Sequence, residues 1–129
     1  MARKRMLSRE VIETDNFYSL SKDAQALYLH LNLNADDDGF VNNALMTCRM
    51  LGINISVINE LVTLGYLIKV NNGVYLIRHW LLNNNKIPND RYKESIYKEF
   101  LDNNIIYDEE SENKIYELRE PEEQEQDKH

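Results

Sequence analysis

Residues 34–42, NADDDGFVN, bring an asparagine and three aspartates up to a glycine, and oxygen ligands at that spacing belong to Ca²⁺ chemistry. An EF-hand loop needs oxygen ligands at positions 1, 3 and 5, a glycine at 6 and a bidentate glutamate at 12. With Gly39 at the glycine position, Asn34, Asp36 and Asp38 take the first three ligand places, but Leu45 falls where the glutamate belongs. The closing ligand is missing. A weaker, non-EF site for Ca²⁺ or Mg²⁺ is the alternative to a simpler reading, in which Asp, Asn and Gly end a helix and turn the chain. The turn is the preferred reading, and no metal or other cofactor is expected.

Elsewhere the residues with catalytic potential are scattered. His30, His79 and His129 form no pair at metal spacing, and the chain has neither a phosphate-cradling glycine loop nor a nucleophile beside a base. His79 beside Trp80 reads as a packed residue. The single cysteine, Cys48, sits in an apolar helical stretch, which suits a buried thiol and a reducing cytoplasm. An enzyme is not expected. No apolar run approaches the ~18 residues of a membrane span, and MARKRMLSREVIE lacks the apolar core of a signal peptide. A cytoplasmic protein without a membrane partner is therefore expected.

The formal charge of −7 is unevenly spread. Residues 1–107 hold 12 Lys/Arg against 12 Asp/Glu, whereas residues 108–129 hold 3 against 10. The charge thus predicts a neutral domain over 1–107 and an acidic, disordered tail over 108–129, although IYELRE could extend a helix or add a strand first. DNA contacts are expected from Arg3, Lys4, Arg5 and Arg9 in a flexible arm, from Lys69 and Arg78, and from Lys86, Arg91 and Lys93. Asn71 and Asn72 are uncharged candidates, with Asn42, Asn43, Thr47 and Arg49 adding polar contacts. The competing reading is a solvated surface of scattered cations. The acidic run either mimics a phosphate backbone, masking the arm or a site on a host protein, or simply keeps the chain soluble.

Those groups need elements to hold them. Ser21 caps a helix carrying Ala24, Leu27, Tyr28 and Leu31 at three- and four-residue spacing, ending near the aspartates. Gly39-Phe40-Val41 is a short strand. A helix through Ala44, Leu45, Cys48 and Leu51 closes at Gly52, and another from Ile55 closes at Gly65. Two β-rich runs then flank Asn71-Asn72-Gly73, a hairpin signal. Asp90 to Tyr97 is expected to start a last helix. This order predicts an α+β, mainly α fold: a winged helix-turn-helix with Val41 near a third edge strand, a C-terminal helix and the acidic tail.

The chain also resembles a family at ARKRMLSREVIETDNFYSLSKDAQALYLHLNLNADDDGFVNN, at RMLG and at GVYLIRHWLLNNNKIPNDRYKESIY. These segments are similar to the winged-helix N-terminal domains of phage replisome organisers, related to DnaD-type primosome proteins. A basic arm with Ser8, the turn from Ala35 to Phe40, and His79-Trp80 through Asp90-Arg91-Tyr92 carry the likeness. It implies binding of origin DNA in phage or prophage replication initiation, and recruitment of a helicase or its loader. Self-association is a further expectation, through the edge of the small sheet or the apolar segment Trp80, Leu81, Leu82, Ile87. That segment is expected to fold back on the first helix instead. Family members continue into a second partner-binding region, which cannot be carried over. The third helix, ISVINELVTLG, has no Lys or Arg, so the usual major-groove element is electrostatically poor. A phage-encoded inhibitor or regulator of a host protein, such as an anti-CRISPR or DNA mimic, is the alternative function.

Overall fold

Short capped turns open the chain. Ser8 Oγ accepts from Glu10 N and Thr14 Oγ1 from Phe17 N, so each hydroxyl satisfies an orphan N–H at the start of α1 (Arg9–Ile12) and α2 (Asp15–Tyr18). The computed structural model describes residues 4–84, 92–106 and 115–119. Ser21 caps α3 (Lys22–Asn34) through Ala24 N, and the predicted stripe of Ala24, Leu27, Tyr28 and Leu31 is its buried face.

After β1 (Phe40–Val41), α4 (Ala44–Leu51) stops at Gly52, whose φ of 70° lets Ile53 N reach back to Cys48 O. Then α5 (Ser56–Thr63) packs on α3. Its one carboxylate, Glu60, accepts from Ser21 N at 2.9 Å and Ser21 Oγ at 2.8 Å, locking α5 to the first turn of α3. β2 (Leu67–Asn71) and β3 (Val74–Ile77) form the expected hairpin, and β1 joins it on the other side of β3 to give an antiparallel sheet ordered β1-β3-β2. Leu67 stands opposite Ile77, and Leu76 opposite both Phe40 and Ile68, so the two sets lie on opposite faces of the sheet and both faces are buried. Phe17, Tyr28 and Tyr66 close the centre as an edge-to-face triad with centroids 5.5 to 5.7 Å apart.

The chain leaves the sheet through α6 (Trp80–Asn83), and Trp80 folds back into the core, 2% exposed. Ile87 lies outside the described residues. The last helix, α7 (Lys98–Asn104), begins later than expected. Residues 92–95 are irregular because the N–H groups of Lys93 and Ser95 bond to aspartates of the 36–38 turn instead of to a helix, and Ile96 is left 84% exposed. Asp90 and Arg91 lie outside the described residues. β4 (Ile105–Ile106) pairs antiparallel with β5 (Glu117–Leu118), so the strand alternative holds at IYELRE and Tyr116 is buried. The result is a mixed helix-and-sheet domain with small antiparallel sheets. No helix among the described residues is long and apolar enough to cross a membrane.

Candidate functional site

The aspartate turn is where the chain converges. Asp36 Oδ1 accepts from Asp38 N and Phe40 N, both at 3.0 Å, and Gly39 takes a φ of 96° to complete the turn. Its other oxygen accepts from Ser95 Oγ at 2.5 Å. Asp37 Oδ1 meets Arg5 Nη2 at 2.9 Å while its Oδ2 accepts from Lys93 N. The Asp38 carboxylate accepts from Tyr92 Oη at 2.8 Å and from Ser95 N at 2.9 Å. Even the carbonyls are used: Arg5 Nη2 donates to Ala35 O, Trp80 Nε1 to Asp37 O and Tyr116 Oη to Asp38 O. The three carboxylates hold N–H and O–H donors from the N-terminal segment and residues 92–95. The turn is a clasp built from side chains.

A second strap lies beside it. Asn83 Oδ1 accepts from Ser8 N, and its Nδ2 donates to Tyr28 Oη at 2.8 Å and Asn32 Oδ1 at 3.0 Å. Asn84 Oδ1 accepts from Met6 N. Burial pushes the Tyr28 phenol up to about 12, keeping it a neutral member of this network.

Against this frame the expected DNA contacts separate. Arg5 is corrected from a flexible arm to the interior: its side chain is 5% exposed, paired with Asp37 and lying 5.1 Å over the Trp80 ring. Arg78 is turned toward the protein as well, 3.6 Å from Glu117 and 3.4 Å from Gly65 O. Thr47 is buried and donates to Asn43 O, which removes it from the surface. Asn43 is half-buried. Lys4, Arg49 and Asn42 are exposed, and Arg9 is exposed 3.9 Å from Glu13. Lys93 exposes its side chain while its N–H holds Asp37. Arg3, Lys86 and Arg91 lie outside the described residues.

Lys69, Asn71 and Asn72 are the set the fold brings together, all exposed at the far end of the β2–β3 hairpin. The exposed face of α5 adds Ser56, Asn59 and Thr63. Sequence reasoning missed these, although the i, i+3, i+7 spacing of short polar residues in ISVINELVT was there to read. A cleft of about 600 Å³ opens between the aspartate turn and residues 93–97, lined by Arg5, Asn34, Phe40, Asn42, Lys93 and Tyr97 among others. Of two reactive side chains, Cys48 is buried and His79 half-buried. Burial raises the Cys48 thiol, and burial together with the Arg78 charge pushes His79 down to about 4, with Nδ1 buried against no partner.

No family model matches the chain, and neither a curated protein nor a solved structure matches it.

Proposed function

We propose that the chain is a winged helix-turn-helix domain with a C-terminal helix and an acidic tail, a non-catalytic, cytoplasmic DNA- and protein-binding module of phage-type replication initiation. The order α3, β1, α4, α5, β2, β3 supports the winged-helix reading, because the two helices joined at Gly52 lead directly into a hairpin that β1 completes as a sheet. The observation that carries DNA binding is the hairpin end, where one ammonium and two amides stand clear of the packed sheet, as phosphate and sugar contacts require. The face of α5 is compatible with it. Ser56, Asn59 and Thr63 are neutral, and the Glu60 carboxylate, still charged, is hydrogen-bonded to the start of α3 at Ser21. The family likeness supports the replication setting and a replication protein as partner. Burial of Cys48, the one cysteine, supports a role without catalysis.

A second reading is an inhibitor or regulator that binds a host protein, favoured by the acidic residues of 108–129 and by an apolar face on α4. Fluorescence anisotropy on duplex and single-stranded DNA across a salt series separates the two. The full chain is compared with one ending after Arg119, which keeps the buried Tyr116. Binding with a log–log salt slope of about −2, stronger without the acidic end, supports phosphate contacts by two or three cations. No binding at low salt rejects the DNA role and leaves the host-protein reading.

A further inference from the structure

The cleft beside the aspartate turn, about 600 Å³, has the size of a small-molecule site, and its charges are already matched. Arg5 and Asp37 meet at 2.9 Å, and Asp36 is held by Asp38 N, Phe40 N and Ser95 Oγ. A phosphate entering here meets a cation that is taken. Arg5 Nε, however, is enclosed with no hydrogen-bond partner among the described residues, which leaves one donor for an incoming acceptor. Asn34 at the end of α3 and Asn42 after β1 also line the cleft, and among the described residues neither side-chain amide has a partner. Each amide offers donors and an acceptor side by side. Tyr97 is half-buried with its ring 5.4 Å from Phe40, and Ile96 beside it is 84% exposed.

The geometry points to a binding site for an unpaired base of single-stranded DNA. This deepens the DNA reading proposed above and rests on it. A base is uncharged, has a flat face to set against Tyr97 and Ile96, and has donors and acceptors along its edge that Asn34 and Asn42 answer. Lys93, exposed at the same cleft, takes the neighbouring phosphate, and Glu94 next to it is the one unfavourable charge. The sheet brings this cleft to the end where the hairpin stands. Val41, Tyr75 and Lys69 form one row across β1, β3 and β2, so Val41 and Lys69 are two strand spacings apart, about 10 Å. Asn42 follows Val41 directly, and a strand held at Lys69, Asn71 and Asn72 reaches the cleft over a short span. A base in a duplex has to be unstacked and unpaired to enter, whereas a single strand presents it at lower cost.

Fluorescence anisotropy of the full chain at low salt, with a labelled single strand of about 15 nucleotides and with the duplex of the same sequence, tests it. Tyr97→Ala is expected to weaken single-strand binding about tenfold, and Tyr97→Phe, which keeps the ring, to retain it. Asn34→Ala gives a smaller loss of the same sign. Duplex affinity is unchanged in all three and falls with Lys69→Gln. Tyr97 packs on Phe40, so thermal melting accompanies each variant, and a strand carrying 5-iododeoxyuridine, photo-crosslinked to the unaltered chain, locates the base without substitution. A crosslink within residues 34–42 or 93–97 is expected. The inference is overturned by a crosslink confined to the hairpin or α5, or by single-strand affinity indifferent to both Tyr97→Ala and Asn34→Ala. If Lys69→Gln still weakens the duplex in that case, the hairpin reading stands alone, while a chain that binds neither form overturns both. Free deoxynucleoside monophosphates that compete as well as the strand also overturn it, and assign the cleft to a small nucleotide.

Discussion

The indole of Trp80 fills the space that any side chain at Gly39 would need: a Cβ placed on Gly39 falls 2.6 Å from Trp80 Cγ and 2.9 Å from Trp80 Cβ. The same tryptophan donates to Asp37 O, so the turn and α6 are fixed to each other by contact and by hydrogen bond. Gly39→Ala combines a φ of 96° with that clash. It is expected to destabilise the domain by about 3 kcal/mol, read as a lower urea midpoint at unchanged slope. Gly52→Ala is the comparison. With a φ of 70° and nothing within 4 Å of its Cβ, it has only the backbone strain and should cost about 1 kcal/mol.

Arg5 and Asp37 are both largely enclosed, at 5% and 13% side-chain exposure. Removing the cation leaves a carboxylate with, among the described residues, Lys93 N alone to answer it, and takes the donor from the Ala35 carbonyl. Arg5→Met is expected to cost about 3 kcal/mol and to speed hydrogen exchange at Met6 and Ser8, whose N–H groups are held by Asn84 and Asn83. An unchanged unfolding midpoint, with DNA affinity lowered instead, would return Arg5 to a groove-seeking arm.

Much of the framework was legible because it is local. Ser21 announces α3, the apolar spacing gives its buried face, and Asn72-Gly73 sets the hairpin, each within a few residues. The clasp was not legible, since its partners are far apart: Tyr92 lies 54 residues from Asp38, and Tyr116 lies 78 away. Composition also misled at two positions. A basic segment reads as solvated, yet Arg5 has an aromatic face and a carboxylate inside; an acidic segment reads as tail, yet Tyr116 is one large buried ring among carboxylates. The helix expected from Asp90 failed for the same reason, as distant aspartates take the N–H groups that would have started it. Periodicity marks which face of α4 is buried and is silent about an opposite face that is apolar too.

His79 gives a pH signature. Its ring lies 5.4 Å from Tyr66, and burial holds its titration near 4 against 6.5 for the ordinary side chain. Between those values the unfolded chain binds the proton and the folded one does not, so stability rises with pH through this window and is level with respect to His79 above it. The contribution lost on acidification from about 6.5 to about 4 is at most about 3 kcal/mol. His79→Phe removes the titration and keeps a ring against Tyr66. Urea midpoints measured from pH 4 to 7 should fall less steeply for this variant than for the parent; parallel curves would show that His79 charges in the fold at no cost.

Lys69 is the cation that the hairpin end offers, exposed opposite Tyr75 and with no ion pair among the described residues. A lone ammonium on a duplex neutralises one phosphate, so Lys69→Gln should weaken DNA binding to a similar degree across sequences and reduce the magnitude of the salt slope by about one. Arg49→Gln, on the exposed side of α4, should leave affinity and slope unchanged. Arg78→Gln has a third signature, because its guanidinium is shared between Glu117 and Gly65 O and its loss is felt first in the packing of β5. If Arg49 rather than Lys69 sets the slope, DNA lies along α4. The exposed Leu45, Met46 and Met50 would then be part of a groove-facing surface.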